Sequence, residues 1–85
     1  SFPTSIHKQF KINDLLVYPN PAKDYFQVKG LGDGRVKIFN TLGQLILEKT
    51  FYQNEKISIQ QFPSGMYEVL IFNKEKKYKS RILIN

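Results

Sequence analysis

At 85 residues the chain holds one domain at most, and its 41% apolar and 24% charged residues, with seven Phe and five Tyr, suit a small globular core. No Cys and a single His exclude thiolate zinc centres, cysteine nucleophiles and disulfide frameworks. The formal net charge of +6 raises the question of an anionic partner, and no apolar run approaches the roughly 18 residues of a membrane-spanning helix.

Residues 1–14 mix Pro3, Thr4, Ser5, His7, Lys8 and Gln9 with isolated Phe2, Ile6 and Phe10 and sustain no period. They are expected to form a linker or loosely attached arm from an upstream domain, with the folded domain at 15–85. They lack the basic start, apolar stretch and small-residue site of a signal peptide. A start at Ser1 rather than Met is what a piece of a longer protein would show, and removal of an initiator Met before Ser would look the same.

From Leu15 the chain becomes a series of short Val-, Ile-, Phe- and Tyr-rich stretches separated by turn residues, which predicts strands. The first, 15–18, stops at Pro19-Asn20-Pro21, and Asn20-Pro21-Ala22-Lys23 fits a type I turn. In 25–29, Phe26 and Val28 face in; in 35–40, Val36 and Ile38 face in and Arg35 and Lys37 out. Gly43 suits the left-handed position of a short hairpin loop. Leu45, Leu47 and Phe51 share one face of the next strand, and Ile57 and Ile59 one face of 56–60. Phe62-Pro63-Ser64-Gly65 reads as another turn, before an inward row of Tyr67, Val69 and Ile71. A turn at Asn73-Lys74-Glu75-Lys76 leads to a last strand, 77–84, with Ile82 and Ile84 inside. Seven strands at such spacing, with no helical period, predict an all-β fold, a seven-stranded antiparallel immunoglobulin-like β-sandwich. A five-stranded barrel fits the strand count less well.

Chemistry is sparse along this chain. His7 lies in the unpatterned arm, and Asp14, Asp24 and Asp33 sit at strand ends and loops, where Asp commonly caps turns. Gly32-Asp33-Gly34 offers one carboxylate where Ca²⁺ takes about 6 to 8 oxygens, so no metal site is expected. Glu48, Glu55, Glu68 and Glu75 form no pair that separates an acid from a base. No catalytic residue and no cofactor is expected, and the chain reads as a non-enzyme. Phe26, Phe51 and Tyr67 fall on inward rows, so they are placed to pack a core rather than to stack on nucleic-acid bases.

Val17-Tyr18-Pro19-Asn20-Pro21-Ala22-Lys23-Asp24-Tyr25 carries a resemblance. It is continued by Val36-Lys37-Ile38-Phe39-Asn40-Thr41-Leu42-Gly43-Gln44, by Pro63-Ser64-Gly65-Met66-Tyr67 and by Lys79-Ser80-Arg81. In order and spacing these motifs resemble the C-terminal sorting domain of type IX secretion cargo in Gram-negative bacteria, with Pro19, Asn20, Pro21, Gly43, Gly65 and Tyr67 as the motif residues. The resemblance implies an address domain on a larger secreted protein. Its implied partners are the outer-membrane translocon with its shuttle and sortase-like proteins, and the cargo travels through the periplasm to the cell surface or beyond. It also implies that a sortase-like protease commonly removes the domain.

The charge supports a location for such an address. Residues 74–81 hold five cations and one Glu, a net +4 of the total +6. Lys79 and Arg81, with Lys76 and Lys77 near the turn, are therefore the expected contacts to an acidic surface, and the last strand is expected to lie at an edge where a partner strand can add. An immunoglobulin-like adhesion or carbohydrate-binding module is the alternative, with Tyr52 and Tyr78 as its only aromatic contributors; an accessory domain that stabilises an enzyme is a third.

Overall fold

The computed structural model describes residues 10–13 and 16–85. His7 and Asp14 lie outside the described residues, as do Phe2, Ile6 and Leu15. The strands are β1 (Lys11–Ile12), β2 (Val17–Tyr18), β3 (Tyr25–Val28), β4 (Gly34–Phe39), β5 (Leu45–Phe51), β6 (Ile57–Ser58), β7 (Gly65–Asn73) and β8 (Lys76–Ile84). They form a five-stranded sheet in the order β1-β8-β7-β4-β5 and a three-stranded sheet in the order β2-β3-β6. The fold is all-β and built from two sheets.

There are eight strands among the described residues, against the seven expected. The additional one comes from the stretch read as an arm: Lys11 and Ile12 pair with Tyr78 and Lys79 in parallel, while the other strand pairs are antiparallel. A two-residue strand is too short to show a period, and both its residues are exposed, so hydropathy carries no trace of it.

The inward rows assemble one core from both sheets. Val17, Phe26, Val28 and Ile57 of the small sheet meet Val36, Ile38, Phe51, Val69, Ile71, Ile82 and Ile84 of the large one, and all are buried. Strand alternation explains every one of these positions, because successive side chains point to opposite faces. One strand departs from the expected pattern. The β4–β5 register shifts between Ile38 and Phe39, so that Ile38 opposes Leu47 while Phe39 opposes Leu45 and Ile46 is the additional residue. The bulge turns Leu45 outward, leaving it 48% exposed although it shares parity with buried Phe51.

Local turns are closed by side chains. Asn40 Oδ1 accepts hydrogen bonds from the Leu42 and Gln44 N–H groups, both at 3.0 Å, and Gly43 takes the left-handed φ of 81° that the hairpin needs. After β5, Glu55 accepts from the Tyr52 N–H at 2.9 Å and pairs with Lys49 Nζ at 2.5 Å. The Lys49 ammonium first, and then the Tyr52 N–H, hold the Glu55 carboxyl below the ordinary carboxylate value. Its small surface contribution to stability is therefore present above the ordinary Glu value and lost as pH falls through the lowered one.

Candidate functional site

Alternation along β8 sorts the cationic residues. Ser80, Ile82 and Ile84 point into the core, so Lys77, Lys79 and Arg81 share the outer face of the large sheet. Lys76 falls on the inner-face row, exposed at the hairpin end, and is not brought together with the other three. Lys79 Nζ lies 3.0 Å from Glu68 Oε2, with both side chains more than a third exposed, a geometry that contributes less than about 1 kcal/mol.

Strand register sets what surrounds them. Across β4, β7 and β8, Arg35, Phe72 and Lys77 form one row, Lys37, Leu70 and Lys79 the next, and Phe39, Glu68 and Arg81 a third. Lys37 Nζ stands 5.5 Å from the centre of the Phe72 ring, and Phe10 meets the same ring edge-on at 5.7 Å. The outer face therefore has an apolar stripe along β7, in a shallow groove, with cations on both sides. Composition and charge alone did not single out Phe39, Leu70, Phe72 or Glu68. The available signal was the run from Met66 to Phe72, which is apolar at both parities except for Glu68 and so marks a strand with two apolar faces.

The terminal strand is not an edge. β1 covers Tyr78 and Lys79, and the Asn13 N–H donates to the Lys79 carbonyl at 2.9 Å. Farther along, the Asn20 side chain imitates a strand: its Nδ2 donates to the Arg81 carbonyl at 2.9 Å and its Oδ1 accepts from the Leu83 N–H at 3.0 Å. Ala22 continues the ladder, donating to the Leu83 carbonyl at 2.7 Å and accepting from the Asn85 N–H at 2.8 Å, beside Ile84. The expected type I turn at 20–23 is thus replaced by a clasp on β8, because the polar groups of Asn20 and Ala22 find their partners there. Strand addition at β8 would have to displace it, whereas β5 is the flank of the large sheet with no strand beyond it among the described residues.

The remaining motif residues have structural work. Tyr67 is buried, tilts against Phe62 at 5.8 Å and donates its hydroxyl to the Pro63 carbonyl at 2.6 Å, which closes the turn into β7. Gly65, at φ 150°, occupies backbone space that residues with a side chain rarely adopt. Pro19 and Pro21 are exposed and flank Asn20. Tyr52 is 64% exposed while Tyr78 packs against the core, so these two form no aromatic platform. The Asp33 carboxylate, considered as a calcium ligand in sequence, accepts from the Gln53 N–H at 3.0 Å.

Asn20→Ala removes both side-chain bonds to β8 and should cost about 1–2 kcal/mol. Amide exchange followed by NMR should show the Leu83 N–H exchanging at least fivefold faster, with Ile71 in the sheet centre little changed. Unaltered exchange at Leu83 would show that the clasp does not hold the strand.

Residues 16–85 match the family model described as the secretion system C-terminal sorting domain. The chain is similar to ulvan lyase NLR42 of Nonlabens ulvanivorans, 35% identical over 80 residues, 88% of this chain and 15% of the relative. It is also similar to an endo-acting ulvan lyase of Formosa agariphila, 31% identical over 78 residues, 85% of this chain and 15% of that protein. The chain thus spans about 15% of the length of the curated relatives it matches.

Proposed function

The chain belongs to the secretion system C-terminal sorting domain family, and from that premise we propose that the type IX machinery reads it through the cationic outer face of β8. A domain of this family is a sorting signal, part of a larger cargo protein that is directed to the cell surface or the extracellular space. The two sheets and their shared core suit an immunoglobulin-like sandwich, the finer form of the fold proposed here. The domain serves the machinery as ligand and substrate and carries no catalysis of its own. Its partners are the outer-membrane translocon, a shuttle protein and a sortase-like protease that removes the domain after transit. The lyase names describe whole proteins, and nothing in this domain requires that its own cargo be a lyase.

The observation that carries the reading is the placement of Lys77, Lys79 and Arg81 in one outward row on a strand fixed along its length by β7 on one side and by β1 and the Asn20 clasp on the other. A preorganised charge row of this kind speeds encounter with an acidic surface and selects among partners. Residues 15–85, fused to a periplasmic reporter in a host with a type IX system, should bring the reporter to the cell surface or the medium. A reporter that stays in the periplasm would refute the reading.

A further inference from the structure

The outer face carries a pattern that the export reading does not use. Leu70 and Phe72 on β7 are flanked on one side by Arg35 and Lys37 of β4 and on the other by Lys77 and Lys79 of β8, row by row in register. Two inter-strand spacings put the cation rows about 10 Å apart, and the rows repeat along the strand about every 6.8 Å. Leu70 and Phe72 are only half-buried, although they are large apolar residues in the middle of a sheet, and among the described residues the one ring against Phe72 is that of Phe10, edge-on, which an occupant would pack beside or displace. We infer that this stripe is a docking site for an extended acidic peptide segment whose apolar side chains recur at every second position.

Period and charge select this occupant. An extended chain also repeats every two residues at about 6.8 Å, so successive apolar side chains of one segment fall on Leu70 and Phe72 in step. With the apolar side chains on the stripe, the alternate carboxylates stand on the far side of the segment, and the long stems of Lys37 on one flank and Lys77 and Lys79 on the other let their ammonium groups rise beside it toward them. These cations already have partners: Arg35 is bonded to Glu48, Lys37 sits over Phe72, and Lys79 pairs with Glu68. Such exposed contacts are weak, and exchanging them for a partner's carboxylate costs little. An anionic bilayer fits less well. Insertion would bury the Glu68–Lys79 pair, and the cations border a stripe one strand wide rather than rim a broad apolar patch. Lys77 and Lys79 are shared with the export reading, but the inference is tested on binding by the isolated chain, so either can fail while the other stands.

The probe is a fluorescein-labelled heptapeptide alternating Glu with Val and Phe, titrated into the full chain by anisotropy, with the site mapped by amide chemical shifts. Shifts should cluster at Lys37, Leu70, Phe72 and Lys79. Peptides with Lys for Glu, or with Ser for the apolar residues, should bind at least tenfold more weakly, and raising salt should weaken the acidic peptide severalfold. Lys37→Glu and Leu70→Thr should each lower affinity at least fivefold; if either fails to fold, the peptide series on the unsubstituted chain decides alone. Equal binding of the Lys peptide, or shifts centred elsewhere, overturns the inference. So does binding of phosphatidylcholine–phosphatidylglycerol vesicles through these residues when the acidic peptide does not bind.

Discussion

Replacing Gly34 with Ala should lower the melting temperature by about 15 °C, a large loss for so small a domain. A Cβ at this position would collide with the Phe72 carbonyl oxygen and come within 2.9 Å of the Phe51 ring. The carbonyl belongs to β7, held between β4 and β8, and cannot move without disturbing both ladders. The ring is 1% exposed and fills the core beside Gly34, its pairing partner on β5. Neither obstacle is a flexible side-chain end, so the overpacking cost should reach about 3 kcal/mol. An 85-residue domain has roughly 4–13 kcal/mol of stability, and each kcal/mol moves its melting temperature by about 4–8 °C. Gly32→Ala is the control. Its φ of 71° disfavours a side chain, but nothing lies within 4 Å, so only the backbone cost of about 1 kcal/mol applies. Equal losses at the two positions, measured by thermal unfolding, would show that Gly34 matters for its backbone and not for its packing.

These glycines also show where sequence reading runs out. Gly30, Gly32 and Gly34 stand two apart and look alike in sequence, yet the first two serve backbone conformation in a loop while the third opens β4 and admits a ring and a carbonyl from strands about 20 and 40 positions away. The inward rows were legible because alternation is a local property: Val36 with Ile38, Val69 with Ile71, and Ile82 with Ile84 all lie in the core as their spacing requires. Partnerships across the sheet were not legible. Asn20 looks like a turn former because Asn commonly is one, and only the arrival of β8, with the Arg81 carbonyl and the Leu83 N–H, makes its amide a strand substitute. For the same reason Lys79 is legible in sequence only as one of a cationic group facing an external acidic surface, although Glu68, diagonal to it on the neighbouring strand, lies 3.0 Å from its Nζ. The Lys and Arg cluster was visible as charge, whereas its division between an outer row and Lys76 follows from which parity the core claims.

That division leads to the sharpest test of the cationic row. Lys79→Glu with Arg81→Glu should reduce export of a reporter fusion at least tenfold while moving the melting temperature by no more than about 8 °C. Stability should change little, because both substitutions act on an exposed face: they exchange the Lys79–Glu68 pair and the Arg81 position opposite Glu68 for like charge, together about 1 kcal/mol. The export side is different, because reversing two charges in one outward row turns attraction to an acidic surface into repulsion and slows encounter as well as binding. Lys76→Glu supplies the internal comparison, since it changes one charge of the same cluster on the opposite row. If total charge were what the machinery reads, Lys76→Glu would cost about as much export per charge as the pair. If the row is what is read, the pair fails and Lys76→Glu passes. A double variant that loses export and melts more than about 15 °C lower would instead assign both residues to folding, and would remove Lys79 and Arg81 from the recognition surface.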